Sequence, residues 1–173
     1  MNELSNRFLI QLMENKVEPL KDNPMEVPDK PGIYSFCLKN LESIPQQMQF
    51  LKYKYLGELP VIYVGKAEKS LRTRYLNKHL EGTARNSTFR KSLGALFGLE
   101  KEVLDQGKYK YINNHENWLT NWMKENLIFH FHEQENPKYI EENLIMLLHP
   151  PLNLQKNIQH KEFRAMMRSL RRL

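Results

Sequence analysis

The chain has 173 residues, 40% hydrophobic and 27% charged, a composition that supports one folded domain and excludes wholesale disorder. Its single cysteine, Cys37, excludes an intrachain disulfide and a cysteine-built zinc cage, and no apolar run approaches the ~20 residues of a membrane span. The net charge of +6 is uneven: Lys66 to Lys91 carries +6, the tail Lys161 to Leu173 carries +4 and the remainder −4, which points to a polyanionic partner, a solvated surface being the plainer alternative.

Leu4, Phe8 and Leu12 recur at helical spacing, with Leu9 and Met13 alongside, and predict a short amphipathic helix over 4–15. Glu3 stands early and no basic start precedes an apolar core, so no secretory leader is expected and the chain reads as soluble and cytoplasmic. Pro19, Pro24, Pro28 and Pro31 follow, each removing a backbone donor, and make 17–31 an arm or linker. Gly32 to Lys39 reads as a buried strand. Residues 40–60, bounded by Pro45 and Pro60, read as a long hairpin connection, and Val61-Ile62-Tyr63-Val64-Gly65 as the clearest strand.

Helical spacing follows in Leu71, Tyr75, Leu76 and His79 or Leu80 until Gly82. Ser87 or Thr88 caps a helix carrying Phe89, Leu93, Leu96 and Phe97. Residues 99–112 carry no clear pattern. Asn114 opens a helix with Trp118, Leu119, Trp122 and Met123, and 127–132 alternates as a third strand. Asn136-Pro137 starts a helix that must end before Pro150-Pro151, and 160–172 forms a basic helix with Phe163, Met166, Met167 and Leu170 as its apolar stripe. The order suits an α+β domain with a small sheet: an N-terminal helix and proline-rich arm (1–30), a main domain (31–159) and a basic C-terminal helix (160–173).

One constellation carries chemistry: Gly32-Ile33-Tyr34, Tyr63-Val64-Gly65-Lys66, Arg72 and Arg74, Glu141, then Asn153 after Pro150-Pro151. Singly these are ordinary, since a strand tyrosine is usually core and a helix glutamate usually complements the dipole. Together, and in this order, they resemble the GIY-YIG nuclease family, over about residues 31–98 and 126–154. The stretches 63–67 and 141–145 are similar to the nuclease domain of the bacterial excision-repair endonuclease, and 82–90 resembles a bacterial subgroup of stand-alone members. The resemblance implies a sheet of about three antiparallel strands flanked by helices.

It also implies a phosphodiesterase using one Mg²⁺ or Mn²⁺ ion, with Glu141 as the metal ligand. One carboxylate suffices for a hard cation that keeps most of its waters. Arg74 matches the arginine that holds a non-bridging oxygen in the transition state. Tyr34 and Tyr63 match the signature tyrosines, with Tyr34 as general base toward water. Lys66 and Arg74 would help stabilise its phenolate, and Asn153 would orient the site. Two spacings depart from the family pattern. Gly65 to Arg74 is one residue longer than usual, so Arg72 competes with Arg74. His79 lies five after Arg74 where the family often has His or Tyr four after, and Lys78 fills that place, leaving His79 catalytic or merely packed.

DNA is the expected substrate. Its backbone would meet Arg72, Arg85, Ser87, Thr88, Arg90 and Lys91 around the second basic helix start, and Arg164 and Arg168 on the tail. His130 and His132 share a strand face but lack a third ligand at metal spacing. Trp118 and Trp122 read as core, not a stacking platform. Two rivals stand beside the endonuclease: a non-catalytic nucleic-acid-binding module with the same fold, and an interaction protein whose basic tail meets another protein.

Overall fold

The computed structural model describes residues 3–172, with side chains described from Arg7 onward. The expected roles of Leu4 on the first helix and of Leu173 in the tail therefore lie outside the described residues. In chain order the elements are α1 (Glu3–Glu14), β1 (Lys16–Val17), β2 (Gly32–Leu38), α2 (Gln46–Gln49), β3 (Tyr55–Leu56) and β4 (Leu59–Ala67). Next come α3 (Leu71–Thr73), running into a π-helix (Arg74–Leu80), then α4 (Thr88–Leu96), β5 (Lys101–Val103) and β6 (Tyr109–Tyr111). The chain closes with α5 (Asn113–Asn126), β7 (Leu127–Glu133), α6 (Pro137–Leu148) and α7 (Lys161–Leu170).

The main sheet is antiparallel, in the order β1-β7-β2-β4-β3. It has five strands where about three were expected. The inner three are the expected ones. The outer two are two-residue strands from the arm and from the 40–60 connection, too short to show any alternation. The unassigned 99–112 stretch forms the separate hairpin β5–β6.

Central β2 is buried along its length and sorts its side chains to two faces. Tyr34 and Phe36 share one face with their cross-strand partners Gly65 and Tyr63 on β4 and Phe131 and Phe129 on β7. There Phe36 stacks on Phe89 of α4 with centroids 4.4 Å apart, and Tyr75 of the π-helix stacks on Phe129 at 4.4 Å. Ile33, Cys37 and Val64 face the other way, against Leu12 of α1 and Ile140, Leu144 and Ile145 of α6. Burial pushes the Cys37 thiol up to about 12, which makes it a packing residue and not a nucleophile.

The arm is pinned to the domain. Val17 and Val27 are buried, and backbone N–H groups of Leu71 and Arg72 donate to Lys30 O and Pro28 O (2.8 and 3.1 Å). The tail helix is part of the same core, for Phe163 and Met167 are buried in it. Lys101 Nζ on the hairpin donates to Leu170 O (2.8 Å) and to Arg172 O at the end of α7, satisfying carbonyls that a helix end leaves free. Trp122 is buried, whereas Trp118 is 43% exposed and edges onto Phe97, so only one of the two fits the core assignment. His130 is fixed by Leu12 O (2.9 Å) and His132 edges onto Phe8. No group of three or more metal-binding side chains occurs among the described residues, and no helix among them is long and apolar enough to cross a membrane.

Candidate active site

Strand register builds the floor of the site. Tyr34 on β2 lies opposite Gly65 on β4. A Cβ at Gly65 would fall 2.4 Å from Cζ and Oη of Tyr34, so only glycine lets the ring cross the strand there. The Tyr34 hydroxyl ends between two side chains from the following helix. Arg74 Nε donates to its oxygen (3.2 Å), and His79 Nε2 lies 2.7 Å away.

The π-helix is what brings Arg74 and His79 together. Five steps along an α-helix turn a side chain through a net angle of about 140°. The wider i→i+5 wrap, seen in the bond from Glu81 N to Leu76 O (2.8 Å), nearly aligns them. The five-residue spacing thus places His79, not Lys78, on Tyr34. Ser70 caps α3 by accepting from Thr73 N (3.0 Å). Arg72 then points away from Tyr34. Its Nε and Nη2 donate to Val27 O (2.8 Å) and Met25 O (3.2 Å) of the arm. Arg72 was expected to contact DNA; its guanidinium instead locks the arm.

His79 is fully buried, and burial, then Arg74 and Arg90, hold its pKa well below the ordinary histidine value. It is therefore neutral. Its Nδ1 meets Ser87 Oγ (2.9 Å). Ser87 is itself buried as the cap of α4, accepting from Arg90 N (3.1 Å). The expected DNA contact at Ser87 thus gives way to a hydroxyl enclosed behind His79.

Arg90 is a second correction. It is 0% exposed and makes an ion pair with Glu116 (2.7 Å). Its Nη1 donates to His79 O (2.9 Å), Leu80 O (3.1 Å) and Thr120 Oγ1 (3.0 Å). A side chain so enclosed reaches no DNA; it ties the end of the π-helix to α4 and α5. Thr88 and Arg85 remain exposed beside that helix start.

Glu141 comes from α6, on the far side of β4. It lies where two clefts meet. One, of about 580 Å³, is walled by Lys66, Lys69, Arg74 and Lys78 among others; the second, of about 460 Å³, by Tyr63, Thr88, Asn153, Lys156, Arg168 and Arg171 among others. Neighbouring acids are neutralised. Glu142 pairs with Lys156, and Glu68 with Lys66 (2.8 Å). The Glu141 carboxylate has no hydrogen-bond or ion-pair partner among the described residues. Burial raises its pKa, opposed by Lys66, Lys156 and Arg74.

Asn153 spends its amide on one residue: Oδ1 accepts from Val64 N (2.9 Å) and Nδ2 donates to Val64 O (2.8 Å). This side chain closes the 150–154 loop onto β4 beside Tyr63. Burial raises the pKa of both tyrosines, while Arg74 and the Tyr63 hydroxyl favour ionised Tyr34. Tyr34 has no accessible surface, and Tyr63 is the phenol on the cleft wall. The expectation that Tyr34 takes a proton directly from water is therefore corrected: its hydroxyl is enclosed, and Tyr63 stands between the cleft and Tyr34.

On the tail, Arg168 lines the Tyr63 cleft while its Nη2 donates to Leu154 O (2.7 Å); Arg164 Nε is held by Gln159 O (2.8 Å) outside both clefts. Arg171 also lines the Tyr63 cleft; the even spacing of basic residues in the tail did not single it out. Ser87 as the partner of His79 was equally missed, for only the π-helix brings them together.

The model of one family, described as the GIY-YIG catalytic domain, matches residues 32–173. No curated protein and no solved structure matches the chain.

Proposed function

The chain belongs to the GIY-YIG catalytic-domain family, a family of endonucleases, and from that premise we propose that it hydrolyses phosphodiester bonds in DNA with one divalent metal ion. The observation that carries this reading is Glu141: an unpaired, half-buried carboxylate at the junction of two clefts rich in bases. A module that only bound DNA would gain nothing from it, because an unpaired carboxylate repels phosphate and costs free energy to bury. The donor set fits a hard cation, offering one carboxylate and open space for water ligands. Glu141 would hold the ion, which when bound supplies charge to polarise a phosphate oxygen and to stabilise the leaving oxygen.

The chain's own residues supply the rest. Arg74 is tethered through Nε to Tyr34 and lines the cleft, so its terminal nitrogens are free to grip a non-bridging oxygen as charge grows. Lys66 adds positive charge beside Glu141. Tyr63 faces the water side. As the attacking water loses its proton to Tyr63 Oη, Tyr63 passes its own to Tyr34 Oη and Tyr34 passes one to His79 Nε2. The proton lost by water thus reaches the imidazole, and neither phenol is left ionised. Nδ1–H donates a hydrogen bond to Ser87 Oγ, and in this tautomer Nε2 is the acceptor. Burial is the main cause of the low His79 pKa, and Arg74 adds to it; an anionic phosphate beside Arg74 offsets that second part, which favours the relay when substrate is bound.

Incubation of supercoiled plasmid with the protein tests the reading. Nicked or linear product is expected with Mg²⁺ and none with EDTA, and Tyr63→Phe should cut far more slowly at equal DNA affinity. Metal-independent DNA binding without cleavage under any divalent ion would favour the binding-module alternative.

A further inference from the structure

Beyond Arg171 the Tyr63 cleft opens into another, of about 320 Å³, lined by Lys91, Tyr109, Leu154, Arg168, Arg171 and Arg172. The two share Arg168 and Arg171. Four of the six lining residues are bases and none is an acid. Three separate elements converge to make this cleft: Lys91 comes from α4, Tyr109 from the β5–β6 hairpin and the arginines from α7 and its end. The hairpin is docked to α7 by Lys101, whose Nζ also lies 5.0 Å from the Tyr109 ring centroid, as does that of Lys91. Gathering cations without counter-charges is unfavourable until an anion joins them. Burial, Arg171 and Lys108 together lower the Lys91 pKa.

A second observation points to a ligand independently of charge. Tyr109 is only 4% exposed, and its hydroxyl is buried with no hydrogen-bond partner. Buried hydroxyls are nearly always bonded. Three among the described residues are not, those of Tyr75, Ser92 and Tyr109, and of these only Tyr109 belongs to a side chain lining the basic cleft.

We propose that this cleft is a docking subsite for a second backbone phosphate of the DNA, held by Lys91 and Arg171 and by a hydrogen bond from Tyr109 Oη. The proposal deepens the nuclease reading and rests on its DNA substrate. The subsite adjoins the Glu141 cleft through the two shared arginines, so a strand seated at the scissile position continues into it. Arg171 belongs to both clefts and sets the distance between the two phosphates. Lys101 supports the subsite from behind, docking the hairpin that carries Tyr109 onto α7.

The test is equilibrium binding of a fluorescent 20-base-pair duplex in EDTA over a range of salt. Wild type is compared with Tyr109→Phe, Arg171→Gln and, as a charge control on the arm, Lys21→Gln. Arg171→Gln should weaken binding roughly tenfold, as expected for a lost charge-assisted hydrogen bond, and flatten the log affinity against log salt slope by about 0.9, one phosphate's worth. Tyr109→Phe should weaken binding severalfold with an unchanged slope and a Tm no lower than wild type, because the hydroxyl has no partner to lose. Lys21→Gln should leave the slope unchanged. An Arg171→Gln slope equal to wild type, or Tyr109→Phe affinity equal to wild type, overturns the proposal. Saturable binding of inorganic phosphate that Tyr109→Phe abolishes while duplex affinity stays constant would assign the cleft to a free anion and overturn the DNA subsite. Plasmid nicking in Mg²⁺ is measured alongside. Cleavage with unaltered slopes sinks the subsite alone; altered slopes without cleavage sink the nuclease reading alone.

Discussion

Arg72 and Arg74 carry the same charge two residues apart, and their environments divide their work. Arg74 is tied to Tyr34 and faces the cleft; Arg72 is tied to the arm. Arg74→Ala should therefore lower the cleavage rate by about 10²-fold, on the order of 3 kcal/mol, with little change in Tm. Arg72→Ala should lower Tm and leave the rate per folded molecule near wild type. The reverse ranking would mean that the helix register is misread. Spacing alone left this choice open, because the carbonyls of Met25 and Val27 that claim Arg72 lie some 45 residues upstream. His79 gives a pH signature. Its folded-state pKa lies well below that of the unfolded chain, so its contribution to stability is full above about pH 6.5 and is lost as pH falls toward the lowered value. Over that window the unfolded chain binds the extra proton, and the slope approaches 1.4 kcal/mol per pH unit. Urea titrations of wild type and His79→Asn at pH 7.5 and 5.5 should show stability falling less in the variant. Equal falls would mean that His79 is not held neutral.

At the scale of elements, the longer helices and the three inner strands were legible because burial imposes periodicity on them. Three features were not. The edge strands Lys16–Val17 and Tyr55–Leu56 each span two residues. The β5–β6 hairpin is short and half-exposed, and it is stabilised by distant contacts: Tyr111 under Gly94, and Lys101 on α7. The π-helix has no composition of its own. It shows in the sequence only as one residue too many before His79. Arg90 holds that π-helix in place, capping its last carbonyls while paired with Glu116. Its charge had suggested a DNA contact, since composition does not report burial. Arg90→Met should cost about 3–5 kcal/mol, because Glu116 is left charged and buried without its partner. The DNA salt slope of the folded variant should stay at the wild-type value. A slope reduced by one phosphate with unchanged urea stability would return Arg90 to the DNA surface.

At the scale of the whole molecule, both faces of the sheet serve one site. The aromatic face presents Tyr34, Tyr63 and the π-helix, while α6 brings Glu141 from the opposite side of β4. The two basic islands of the sequence are legible as charge, but the fold sorts them. Arg90 is buried, Arg72 grips the arm and Lys66 is balanced by Glu68; Arg74, Lys78, Arg168 and Arg171 line adjoining clefts around Glu141. The central claim is that Glu141 anchors a metal used to cut DNA. It is tested most directly by comparing wild type and Glu141→Gln on supercoiled plasmid in Mg²⁺, with duplex affinity measured in EDTA. The substitution keeps the size of the side chain and removes only its charge. The account predicts nicking by wild type, none by the variant, and duplex affinity equal to or above wild type, since a negative charge has been removed from the clefts. Nicking by Glu141→Gln at the wild-type rate would contradict it.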